Sequence, residues 1–141
     1  MRDPIEEYAK RRRMVDAQRD TVESAISQAE GVRSTLGGIG GGGFGDATSE
    51  RYVSLLESAD RLLELWEGLD DERQRIAEIA DMLEEDDREL ILTALTDAQV
   101  HGNVSRARIA RKLGLERHTV SKRYRRAVDS LNDTGRQHGG A

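Results

Sequence analysis

Apolar residues recur along this chain at steps of three, four and seven, the spacing of amphipathic helices, and nowhere does the sequence show strand-like alternation bounded by turns. The first such stretch opens at Asp3-Pro4, a capping carboxylate directly before a proline whose missing N–H costs nothing at the first helical position. Ile5, Tyr8, Val15, Val22, Ile26, Ala29, Val32 and Leu36 follow, a thin stripe interrupted by Arg12 and Arg19. A thin stripe on so long a helix suits a coiled-coil partner better than a globular core. GGIGGGGFGDATS then ends the helix.

Thr48 or Ser49 caps the next expected helix, which has the clearest period in the chain. Leu55, Leu62, Leu69, Ile76 and Leu83 recur at sevens, with Tyr52, Ala59, Trp66, Arg73 and Ala80 in the complementary positions and Leu56 and Leu63 widening the seam. Leu55, Leu62, Trp66, Leu69, Ile76 and Leu83 are the expected oligomerisation residues. Gly68, with a capping-box pair at Asp71 and Gln74, leaves open a kink or restart in mid-helix. Two helices joined by a Gly-rich connector can fold back as an antiparallel hairpin.

Asp86 or Asp87 opens a third helix carrying Leu90, Ile91, Ala94, Leu95 and Ala98, ended by His101-Gly102-Asn103. From Val104 to Leu131 the pattern tightens. Ile109, Ala110 and Leu113 recur at helical spacing, Gly114-Leu115 makes a short break, and Val120, Tyr124, Ala127, Val128 and Leu131 resume the same period. Ser105 is placed to cap the first of these helices, and Gly114 to end it in the left-handed conformation. This is the pattern of a helix-turn-helix, with Arg117, His118, Ser121, Lys122 and Arg125 on or near the side opposite Val120, Tyr124 and Ala127.

The expected fold is therefore all-α: a long N-terminal helical hairpin or coiled coil followed by a C-terminal helix-turn-helix domain. Its divisions are an N-terminal helix (1–36), a linker (37–47), a heptad helix (48–84), a DNA-binding unit (85–132) and a disordered tail (133–141).

Charge sharpens the picture. The 141 residues hold 22 Lys and Arg against 27 Asp and Glu, a net charge of −5 that taken alone argues against a nucleic-acid partner. Its distribution reverses this. Between Arg106 and Arg126 lie nine basic residues opposed only by Glu116, whereas acids dominate from Glu64 to Glu89. A concentrated basic surface releases counterions from DNA phosphates, and an acidic body confines that contact to one end. Arg106, Arg108, Arg111, Lys112, Arg117, His118, Ser121, Lys122, Arg125 and Arg126 are the candidate DNA contacts.

At these residues the chain resembles the region-four helix-turn-helix of bacterial sigma factors and its relatives. Ile109-Ala110 precedes a Leu113-Gly114 turn, and Thr119-Val120 opens the recognition helix, followed by Arg123, Arg126-Ala127 and Leu131. Glu116 departs from that pattern, which has Ser or Asp as the cap at this point. The whole layout is similar to the small phage and prophage transcription regulators of the RinA/ArpU type. That resemblance implies control of late or packaging genes, with dimers binding promoter-proximal DNA. The expected partners are double-stranded DNA and further copies of the chain, with RNA polymerase as an additional candidate. Two other readings stand beside it: a small-terminase-like DNA-packaging protein, in which the DNA-binding part usually comes first, and a sigma-like module that contacts RNA polymerase or another protein instead of DNA.

Other chemistry has little support in the sequence. Gly38-Ile39-Gly40 with Gly43 matches a dinucleotide fingerprint only formally, because a polar helix precedes it where a buried strand is needed. His101, His118 and His138 are scattered, the acids of Glu84-Glu85-Asp86-Asp87 suit a helix start, and no nucleophile or metal constellation follows from spacing. The expectation is a protein that is not an enzyme, takes no cofactor and no metal, and stays off the membrane. Without cysteine, a membrane-length apolar run or the apolar stretch of a signal peptide, it reads as cytoplasmic.

Overall fold

The computed structural model describes residues 2–36 and 45–139, with side chains at 2–30 and 50–138. Within them the chain is all-α, five helices with no strand: α1 (Pro4–Leu36), α2 (Gly45–Ala80), α3 (Glu85–His101), α4 (Arg106–Leu113) and α5 (Arg117–Gly139). Residues 37–44 of the expected linker, and the side chains of Val32, Leu36, Thr48 and Ser49, lie outside the described residues.

Several helix ends have a local cause. Asp3 Oδ1 accepts the N–H groups of Ile5 (3.0 Å) and Glu6 (3.1 Å), satisfying two orphan donors of α1 next to Pro4. α2 starts at Gly45, three residues before the expected cap, and runs unbroken through Gly68, so the restart near Asp71 does not occur. One glycine in a helix interior costs only about 1 kcal/mol, too little to break so long a helix. After the turn at Asp81–Glu84, α3 begins with Glu85, Asp86 and Asp87 in its first turn, where the helix dipole favours negative charge. Gly102 (φ 71°) and Gly114 (φ 68°) close α3 and α4 in the left-handed conformation, their N–H groups bonded to Ala98 O and Ala110 O.

The chain divides into two compact units. Unit 1 comprises Met1–Arg13 with Leu69–Ala141, and unit 2 comprises Met14–Gly68. In unit 1, α3, α4 and α5 pack pairwise around Ile91, Ala94, Leu95, Ile109, Val120 and Val128, all nearly free of solvent. The unit is larger than the 85–132 read from the sequence. Ile5, Tyr8 and Ala9 of α1 and Leu69, Ile76 and Ala80 of α2 are also buried. The short α4 leaves a three-helix core with too little apolar area of its own, and these residues enlarge it.

The tail expected to be disordered from residue 133 is helical through Gly139. Leu131 is buried just ahead of it, and Asn132 Nδ2 donates to the Arg2 carbonyl at 2.8 Å. A Cβ added at Gly135 would touch Ile79 at an ordinary 3.5 Å. Contacts of this kind offset the poor helix propensity of the Thr-Gly stretch. Residues 140–141 lie outside the described set.

In unit 2, Val15 and Leu62 are the buried apolar residues among those described. Arg19 pairs with Glu23 at 3.0 Å and sets its guanidinium 5.7 Å from the Trp66 ring centre, while the Tyr52 hydroxyl donates to Glu30 Oε1 at 3.0 Å. Leu62, Leu69 and Ile76 are thus covered by the chain itself, although heptad spacing offered them to a second subunit. Leu55, Trp66 and Leu83 are half-buried.

Candidate nucleic-acid interface

The basic residues of α5 are held outward by what lies behind them. Val120, Tyr124, Ala127, Val128 and Leu131 form one buried row, so at 100° per residue His118, Lys122 and Arg125 fall on the opposite side, flanked by Ser121 and Arg126, while Arg117 shares the azimuth of the buried row but is exposed at the helix start. All six of these side chains are exposed, as is Arg123. No carboxylate within ion-pair distance neutralises them among the described residues. The exposed Asp129 lies on the same outward line, one turn beyond Arg125, and ends the cationic strip. Arg111 and Lys112, in the last turn of α4, add two more exposed cations just before the Gly114-Leu115-Glu116 turn.

That turn fixes where α5 begins. The Leu115 N–H returns to the Ala110 carbonyl at 2.9 Å, and the Glu116 carbonyl accepts the first α5 bond, from the Val120 N–H at 3.0 Å. Glu116 therefore stands at the cap position despite its poor side-chain fit, and Arg117 is the first helical residue. The strongly cationic part of α5 is consequently its first three turns.

Arg106 and Arg108, two of the ten candidate contacts, are engaged inside unit 1. Arg108 Nε donates to Asp97 Oδ1 at 2.7 Å and its Nη2 to Asp97 Oδ2 at 3.1 Å, the two-pronged pairing that suits guanidinium to carboxylate. The Asn103 side chain and carbonyl take further bonds from the same guanidinium. Asp97 is 9% exposed and also accepts the Ser105 N–H at 2.9 Å, while Ser105 Oγ caps α4 through the Arg108 N–H. Burial alone would push the Asp97 carboxyl up, but the Arg108 and Ser105 hydrogen bonds and the nearby positive charge outweigh it and hold the carboxyl below its ordinary range. Arg108 thus joins the end of α3 to the start of α4 instead of waiting for a phosphate.

Arg106 lies 4.7 Å over the Tyr124 ring centre and reaches Glu6 Oε1 at 3.4 Å. Beneath it the Tyr124 hydroxyl donates to Asp3 Oδ2 at 2.7 Å. Burial above all, then the charges of Asp3 and Glu6, raise the Tyr124 pKa far beyond its ordinary value, so the phenol remains a donor. Arg13 Nη1 completes this side of the unit by donating to the Gly102 carbonyl at 2.7 Å.

Sequence reasoning found the cationic strip but missed Asp97 and Asp3. A signal for Asp97 was present: an acid flanked by the apolar positions Ala94, Leu95 and Ala98, with an arginine shortly after the next turn. For Asp3 only the local capping role was legible.

A cavity of about 340 Å³ between α3 and α4 is lined by Thr93, Thr96, Val100, His101, Arg111 and Lys112 among others. His101 Nε2 is 3.8 Å from Asp97, whereas His118 and His138 are exposed. Among the described residues no group of three or more His, Cys, Asp or Glu is arranged to hold a metal ion, and no helix is long and apolar enough to cross a membrane. No protein-family model, curated protein or solved structure matches the chain.

Proposed function

We propose that the chain is a sequence-specific, DNA-binding transcription regulator in which α4, the Gly114-Leu115-Glu116 turn and α5 form a helix-turn-helix and α5 is the recognition helix. The observation that carries the reading is the strip from Arg117 to Arg126, exposed and free of carboxylate partners, on a helix whose other side is locked into a core. Cations held outward on a rigid helix suit a groove lined with phosphates, and the first turns of such a helix are those that meet base edges. Arg117, Ser121 and Lys122 are then the readers, with Arg111, Lys112 and Arg126 on the flanking backbone.

In the same proposal α1 and α2 form an antiparallel helical hairpin that brings chains together, and the protein is a phage or prophage regulator with the sigma-like domain of the RinA/ArpU type. Gel shifts on selected and random duplexes over a salt series test the DNA part. Expected is a linear fall of log affinity with log salt, together with a tighter selected site. Absence of binding to any duplex at low salt would overturn it and favour a protein partner for α5.

A further inference from the structure

We propose that unit 2 carries the docking face for a second copy of this chain on its charge-poor side, formed by Met14, Ala17 and Thr21 of α1 and Ser58 and Leu65 of α2. This deepens the self-association in the reading above and leaves DNA binding to be measured separately.

The first argument is apolar surface left in water. Met14 is 55% and Leu65 48% exposed on this side of unit 2. Removing such apolar area from water is the main favourable term in protein association. A second pair of helices laid on the first would cover these side chains, as in a four-helix bundle.

The second argument is charge. Ala17, Gln18, Thr21, Val22, Ser58, Arg61, Leu62 and Leu65 line a groove of about 460 Å³. In a chain that is 35% charged, that lining holds a single charge, Arg61, whose long stem can carry its guanidinium to the edge. Depletion of charge is the compositional mark of an interface centre. The other exposed apolar row of α2, Val53, Leu56 and Leu63, lacks it: Glu57, Asp60, Glu64 and Glu67 are interleaved there and exposed.

The third argument identifies the occupant. The face offers projecting side chains, Met14 and Leu65, beside a trench of small ones, Ala17, Thr21 and Ser58, floored by Val22 and Leu62. Knobs and holes on one surface are what a two-fold contact requires, since each copy then fills the trench of the other with the same residues. A strongly charged partner would find a single counter-charge in this lining, Arg61.

Sedimentation of the full chain up to high micromolar concentration tests this. The wild type is expected at twice the chain mass, Leu65→Glu and Ala17→Glu at the chain mass with unchanged helical circular dichroism, and Leu63→Glu still at twice the mass. Because the chain has no cysteine, Thr21→Cys and Leu63→Cys give a second readout that does not depend on disrupting the fold. A short bis-maleimide should couple copies through Cys at position 21 but not at position 63. A monomeric wild type, or a dimer broken at Leu63 and untouched at Leu65 and Ala17, overturns the proposal. Binding of the same variants to random duplex at low salt reads the DNA proposal independently. Lost binding in an intact dimer counts against the recognition helix alone, and retained binding in a wild-type monomer counts against this face alone.

Discussion

Tyr124 in α5 and Asp3 at the start of α1 are joined by a 2.7 Å hydrogen bond across 121 positions of sequence. Asp3 serves both ends of the contact, capping α1 with one carboxylate oxygen and holding α5 with the other. Removing the hydroxyl in Tyr124→Phe should destabilise unit 1 by about 1.5–3 kcal/mol, the range for a hydrogen bond to a charged group. The folded-state pKa of Tyr124 is raised, so its contribution is complete below the unfolded value near 10 and declines as pH rises beyond it. Urea unfolding at neutral and alkaline pH checks both points: the gap between wild type and variant should narrow above about pH 10.

The Asp97–Arg108 pair carries the opposite pH signature. Asp97 is held below its ordinary pKa, so its contribution is present above the unfolded value of about 3.9 and is lost as pH falls through the lower folded value. Asp97→Asn should cost about 1–2 kcal/mol at neutral pH, a figure reduced for the partly exposed Arg108 side. Acid denaturation should show wild type and variant converging below about pH 4.

On DNA the basic residues should sort into three behaviours. Arg117→Ala or Lys122→Ala should cost about 1–3 kcal/mol on the preferred site and relax its sequence preference. Arg111→Ala or Lys112→Ala should weaken all sequences alike and flatten the slope of log affinity against log salt by about one unit each. Arg108→Ala should instead lower thermal stability and leave that slope unchanged where the domain is folded, because its guanidinium is already held by Asp97. Filter binding over a salt series, paired with thermal melts, separates the three.

Two glycines should respond to alanine with opposite signs. At Gly68, in the exposed middle of α2, an added Cβ meets nothing within 4 Å, and Gly68→Ala should stabilise by about 0.5–1 kcal/mol. At Gly102 the left-handed backbone alone penalises a side chain by about 1–2 kcal/mol, and the new Cβ would lie 2.9 Å from Arg13 Cγ. Gly102→Ala should therefore lower the melting temperature, and pairing it with Arg13→Ala should recover at most the crowding part, less the Arg13–Gly102 hydrogen bond that this change removes.

Local features were the ones written plainly in the sequence. Asp3-Pro4, Ser105, Gly102 and Gly114 mark helix ends through chemistry within a few residues, and all four act as that chemistry implies. The buried row of α5 was also legible, because period 3.6 states which residues share a side. Which side finds which neighbour was not. Ile5 and Tyr8 read as the start of a thin coiled-coil stripe, and nothing local reveals that they are buried, with Ala9, in the unit that holds α5. Likewise the bare spacing of Arg106 and Arg108 placed them with the free cations, while their partners Glu6 and Asp97 were supplied by tertiary structure. The heptad row of α2 carried a similar ambiguity, since Leu62, Leu69 and Ile76 have the same period whether they meet another subunit or their own chain.

Asn132 reaches the Arg2 carbonyl across 130 positions, and Tyr124 reaches Asp3 across 121. A ribosome makes residues 2–13 first and must hold them unmatched until α5 has emerged, so unit 1 cannot close during most of its own synthesis. Nascent chains arrested before Tyr124 should consequently remain protease-sensitive in residues 2–13.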